Sequence, residues 1–144
     1  MVKILLAVDG SEAAVRAARS LVQTAAWYKD PPRIEVITVH LPVPNVGGFS
    51  GAVMSREMVE RYYAEEGEKS LAASKKVLDE AKITYSSHVL VGDVAQSIVD
   101  HARTAGCQMI YMGTRGMTGI SNLLLGSIAT KVLHLTGVPV VLVR

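Results

Sequence analysis

Residues 2–8 (VKILLAV) form a short apolar run that stops at Asp9-Gly10-Ser11. A run of this length without alternation predicts a strand buried on both faces, as in a parallel sheet. The period then changes. Over residues 12–28, Ala14, Ala17, Ala18, Leu21, Val22 and Ala25 share one helical face. Small residues on that face allow close approach to a sheet. Ser11 or Asp9 supplies the N-cap, and Lys29-Asp30-Pro31-Pro32 ends the helix. Residues 34–39 are rich in β-branched side chains and predict a second strand. Residues 41–53 hold prolines and glycines and predict a loop, long for a strand-to-helix connection.

Residues 54–82 are charged and helical, with Met54, Met58, Tyr62, Leu71, Leu78 and Ala81 as candidates for the inner face and Gly67 as a candidate bend. Tyr62 is ambiguous, because with Tyr63, Glu65 and Glu66 it also fits a solvated face. Residues 83–91 predict a third strand, after which Asp93-x-x-Gln96 has capping-box form. Ala95, Ile98, Val99 and Ala102 make the apolar stripe of the next helix, which Gly106 terminates. Residues 108–112 predict a fourth strand. A glycine-rich loop, a helix over 127–135, the stop signal Gly137 and Pro139, and a fifth strand over 138–143 complete the chain. Strands alternating with helices require crossovers, and right-handed crossovers build a doubly wound α/β sheet, Rossmann-like, with helices on both faces. At 144 residues, without a linker or internal repeat, residues 1–144 are expected to form one domain.

Charge sharpens this picture by its distribution. The formal net charge is only +2, which argues against nucleic-acid and membrane partners. After Asp100 there is no acidic residue, while Arg103, Arg115, Lys131 and Arg144 remain. A stretch without carboxylates suits an anion. A single cysteine, Cys107, excludes an internal disulfide framework and favours a reducing, cytoplasmic setting. Cys107 reads as a small buried hydrophobe. The opening MVKILLAVDG has too short an apolar run for a secretory leader, and no stretch approaches the length of a membrane span.

In doubly wound sheets, ligands sit outside the carboxyl ends of the strands. Two segments belong at that edge: Asp9-Gly10-Ser11 after the first strand, and Gly113-Thr114-Arg115-Gly116 after the fourth, leading to Gly126-Ser127 at a helix start. Glycines admit backbone amides to a ligand, and a helix start adds unpaired N–H groups and partial positive charge. Together they suit a phosphate, to which Ser127 adds a hydroxyl and Arg115 a charged donor. Neither the GxxxxGK[ST] loop nor GxGxxG is present. On spacing alone, the loop could equally be a structural turn.

The pattern Gly113-x-x-Gly116, nine residues, Gly126-Ser127 resembles the nucleotide-binding signature of the universal stress protein family. KILLAVDGSE, VGDVAQSIVDHA, MGTRG and VPVVLVR extend the resemblance over the whole chain. It implies strand order 3-2-1-4-5 and binding of ATP, or of ADP or AMP, with Mg2+ or Mn2+ held mainly by phosphates and water. It also implies roles for residues. Gly113, Gly116, Gly126 and Ser127 would cradle the phosphates. Asp9 would face the ribose or a phosphate-bound metal, the alternative being a helix-capping role. The backbone near Leu41 would meet the adenine edge, and Met112 and Ile128 would flank the nucleotide. Position 129 departs from some ATP-binding relatives: Ala129 stands where they have Thr, with Thr130 beside it. His40 either covers the adenine or ends a strand. His88, His101 and His134 have no metal-ligand spacing and read as surface or helix-end residues, so no protein metal site is expected.

No nucleophile–base pair is evident, and Asp9 is the sole carboxylate placed near a γ-phosphate. The resulting expectation is an ATP-binding stress or signalling module with little or no turnover. It would form a homodimer through the C-terminal edge strand, Val138 to Val143. The alternatives are a slow ATPase or phosphotransferase using Asp9, and a nucleotide-independent interaction dimer. A flavin ligand of the FMN type ranks lower.

Overall fold

The computed structural model describes residues 1–44, 55–116 and 124–144. The elements follow as β1 (Lys3–Ala7), α1 (Glu12–Ala25), β2 (Arg33–His40), α2 (Arg56–Glu80), β3 (Tyr85–Val91), α3 (Val94–Thr104), β4 (Met109–Gly113), α4 (Ser127–Leu135) and β5 (Val140–Val143). All strand pairs are parallel, in the order β3-β2-β1-β4-β5. The α/β class and the 3-2-1-4-5 order are those expected.

Side-chain alternation along β1 and into Val8 explains why residues 4–8 are continuously apolar. Ile4, Leu6 and Val8 join the core under α1 and α2, with Ala14, Ala17, Ala18, Leu21, Leu71 and Leu78. Leu5 and Ala7 join the opposite core under α3 and α4, with Ala95, Ile98, Ala102, Ala129 and Val132. Both faces of the central strand are therefore dry, and period-two polarity disappears.

Several predicted boundaries are corrected. The first helix stops at Ala25, short of residue 28. Trp27 and Tyr28 donate to the carbonyls of Thr24 and Ala25 in tight turns, and Trp27 is exposed. In α2, Leu71 and Leu78 are buried as expected, but Met58 and Tyr62 are exposed, Ala81 is the exposed C-cap, and Gly67 and Ser74 complete the buried row. The reason is length. Twenty-five helical residues span about 37 Å, whereas seven residues of β3 span about 23 Å, so one end of α2 has no sheet beneath it. Met54 and residues 45–53 of the expected loop lie outside the described residues.

Gly67 does not interrupt α2. A Cβ there would collide with Val89, at 2.6 Å from its Cγ1. Its function is close approach of the helix to β3. The capping box of α3 is half formed. Asp93 accepts from the Gln96 amide at 3.0 Å, but the Gln96 side chain donates to Asp100 instead of returning to the cap. Gly106, at φ +71°, ends α3 with its amide on Arg103 and that of Cys107 on Ala102, a Schellman closure. α2 closes in the same way through Lys82, at φ +58°, and Ile83 then packs against the core rather than starting β3.

Candidate functional site

At the carboxyl edge of the sheet, β1 and β4 are neighbours, while β2 leaves toward the other side. This is the switch point of a doubly wound sheet, where a crevice opens. A cavity of about 250 Å3 lies there. Its buried lining is mainly apolar, with Ala7, Val8, Ile37, Ile98, Met112 and Ala129, to which Ser11 and Thr114 add buried hydroxyls. Asp9, Gly116 and Ser127 are exposed and polar. An apolar floor with a few converging polar groups is the usual composition of a small-molecule site.

Each polar group has a structural reason for its place. Asp9 follows β1, and its Oδ1 accepts the Ser11 amide at 3.0 Å. Ser11 itself caps α1, accepting from the Ala14 amide at 3.2 Å. The choice between two caps is thus resolved for Ser11, with Asp9 bracing the turn. Gly10, at φ +84°, permits that turn. A Cβ at Gly116 would stand 2.8 Å from Asp9 Oδ2, so the loop after β4 passes directly over this carboxylate. Gly113 has a different neighbour: its Cβ would meet Ala13, at 2.8 Å from the Ala13 Cβ. Gly113 therefore lets α1 lie against β4, although it also borders the cavity.

The start of α4 completes the rim. Its cap is Gly126, with no side-chain cap, and its first helical bond runs from Thr130 N to Gly126 O at 3.1 Å. The amides of Ser127, Ile128 and Ala129 precede that bond and have no intrahelical partner. All three residues line the cavity. Gly126 N donates to Thr114 O at 2.6 Å, which ties the helix start to the loop after β4. Thr130 Oγ1 donates to the Gly126 carbonyl at 2.9 Å, so Thr130 is turned along its own helix and does not supply the hydroxyl that Ala129 lacks. Thr114 is buried, and its Oγ1 has no hydrogen-bond partner among the described residues.

Asp9, Met112, Gly113, Arg115, Gly116, Gly126, Ser127 and Ile128 thus surround one cavity. Leu41 does not line it; its side chain is exposed beyond the end of β2. His40 ends β2, its carbonyl accepting from Gly92, and it too is absent from the lining. Of the apolar floor, Met112 is among the expected site residues, whereas Ile37 and Ile98 are not. Their signal was present, since Ile37 lies on a core strand and Ile98 on the stripe of α3, but nothing in spacing says which core residues reach the cavity. Among the described lining residues, Asp9 is the sole carboxylate.

His88 is exposed on β3 and His101 stands in the last turn of α3, the surface and helix-end positions expected, but the two also converge on one carboxylate. His88 and His101, 13 positions apart in sequence, both set Nε2 against Glu35 Oε2, at 2.9 and 3.1 Å. Spacing could not reveal this, because the three residues come from β2, β3 and α3. Burial alone would raise the Glu35 carboxyl, but the hydrogen bond from His101, Lys3 and the charge of His88 outweigh it and hold it below its ordinary range. Cys107 is buried, as expected, and burial pushes its thiol up.

A cleft at the switch point of a 3-2-1-4-5 sheet, with a helix start facing a glycine loop, defines a doubly wound, Rossmann-like α/β domain. The model of the universal stress protein family matches residues 1–144, and the chain belongs to that family. A universal stress protein of Methanocaldococcus jannaschii is 32% identical over 144 residues, covering 99% of this chain and 81% of its own. The solved structure of the hypothetical protein MJ0577, also from Methanocaldococcus jannaschii, superposes with a TM-score of 0.77 at 23% identity, covering 99% of this chain and 94% of that one. The universal stress protein of Archaeoglobus fulgidus, solved in complex with dAMP, has a TM-score of 0.67 at 22% identity, covering 100% and 98%.

Proposed function

We propose that the carboxyl-edge cavity binds an adenine nucleotide, ATP in the first instance, and that the protein is a dimeric stress-response or signalling module with little or no turnover. The observation that carries this reading is the start of α4: three residues whose amides lack intrahelical partners, with no side-chain cap, border a cavity beside Gly116 and Asp9. Such a helix start attracts phosphate. The floor of Ile37, Ile98 and Met112 suits a flat apolar base. The dAMP complex of the Archaeoglobus fulgidus family member supports the choice of adenine.

In this reading Gly116, Gly126 and Ser127 receive the phosphates, Thr114 Oγ1 and Arg115 offer further donors, and Ile128 flanks the nucleotide. The backbone near Leu41 remains the proposed adenine contact. Asp9 is the residue able to face a phosphate-bound Mg2+ or Mn2+, which takes most of its ligands from phosphate and water. Among the described residues the parallel strand β5 pairs with β4 alone, so its outer edge offers backbone groups to a second copy.

The test is mass spectrometry of small molecules released by denaturing the purified protein, beside Gly116→Leu prepared in parallel. An adenine nucleotide released by the wild type and depleted in the variant is the expected result. A flavin released from the wild type, or an adenine nucleotide retained equally by Gly116→Leu, would overturn the assignment.

A further inference from the structure

We propose that Glu35, His88 and His101 form a site for a divalent transition-metal ion, with Zn2+ as the best chemical match. The donor atoms already converge. Both imidazole Nε2 atoms lie on one carboxylate oxygen, Glu35 Oε2, at 2.9 and 3.1 Å, and all three donors lie within 4.8 Å of one another. Bonds of about 2.0–2.1 Å to a tetrahedral ion place its donors about 3.3–3.4 Å apart. The two Glu35–histidine distances therefore need to open by only a few tenths of an ångström to reach the spacing that holds the ion.

The fold explains the convergence. Ile37 pairs with His88 across β2 and β3, and Glu35 lies two residues before Ile37, so Glu35 and His88 share a sheet face. α3 packs on that face and brings His101 over it in its last turn. Lys3 is a neighbouring cation, but it stands 3.4 Å from the other oxygen, Oε1, and donates to the Ala105 carbonyl at 2.7 Å. It fixes the carboxylate from behind and leaves Oε2 to the histidines. Partners of this kind orient ligating carboxylates in metal sites.

The donor chemistry selects the ion. Two imidazoles and one carboxylate suit Zn2+, Co2+, Ni2+ or Cu2+ rather than Mg2+ or Ca2+, which prefer oxygen. The Glu35 and His101 side chains are 14% and 16% exposed, whereas that of His88 is 44% exposed. The site is thus walled on one side and open on the other, where water completes the coordination. None of these residues lines the nucleotide cavity, so this site is separate from any ion carried by phosphates.

The test uses the full chain without a histidine tag, stripped with chelator, in buffer free of nucleotide. Co2+ is added while visible absorption is followed, and Zn2+ is then added as competitor. The expected result is a d–d band that saturates at one Co2+ per chain and is bleached by Zn2+. His88→Ala and His101→Gln should each weaken binding at least about tenfold, and His134→Ala should leave it unchanged. Zn2+ should also raise the melting temperature of the wild type but not of His88→Ala. Absence of a saturable band, or a band of equal affinity in His88→Ala, would show that the two histidines are only ion-pair partners of Glu35.

Discussion

Asp9 illustrates how one residue carries two kinds of constraint. Its Oδ1 braces the turn into α1 through the Ser11 amide, while its Oδ2 is covered by Gly116. A general base needs freedom to approach water, and no second carboxylate or histidine lines the described cavity to orient it. Asp9→Asn is therefore expected to leave phosphate release from ATP at the same low rate as the wild type. A fall of tenfold or more in the variant would establish the alternative of an Asp9-dependent ATPase. Position 129 belongs to the same scale. Ala129 is buried beneath the cavity and Thr130 bonds to Gly126, so the two do not exchange roles despite being adjacent.

Among elements, α2 shows where sequence reading stops. Leu71 and Leu78 were legible because their spacing is helical and the residues are apolar. Gly67 was legible only as a glycine. Its role, contact with Val89, depends on a strand that begins five residues after the helix ends. Met58 misled because apolar character predicts burial only where another element lies opposite, while Tyr62 takes the solvated alternative. Gly67→Ala tests this directly. In an exposed helix the change would stabilise by about 1 kcal/mol. Here overpacking against Val89 is expected to destabilise by about 1–3 kcal/mol in chemical denaturation. Val89→Ala in the same chain should relieve much of that loss. The glycine signature was legible for a different reason: its residues stand close together in sequence, and the α4 start orders them around one cavity. The histidine cluster was not legible, because its members meet only through the register of β2 with β3 and the packing of α3 on that face.

At the scale of the whole molecule, acid stability and assembly are the readable consequences. The Glu35 carboxyl is held below its ordinary value of 4.5. Such a group contributes stability that is present above its unfolded pKa and lost as pH falls through its folded pKa. Below about pH 4.5, the wild type should therefore lose melting temperature more steeply than Glu35→Gln, as followed by circular dichroism. In the proposed dimer, assembly depends on the outer edge of β5. The carbonyls of Pro139 and Val143 accept from β4 and the loop after it, so the alternate residues Val140 and Leu142 direct their amides outward. Leu142→Pro removes one outward N–H without removing a ladder bond. It should shift sedimentation from dimer to monomer, while Leu142→Ala, which also loses side-chain packing, remains dimeric. A wild type that sediments as a monomer would remove the proposed interface.

Calorimetric titration of the purified, nucleotide-free chain with ATP in the presence of Mg2+ tests the central claim most directly. One ATP bound per chain, with binding abolished by Gly116→Leu in a variant that keeps its circular dichroism, is the predicted result. No binding by the wild type at millimolar ATP, with Mg2+ present, would contradict the proposed nucleotide site.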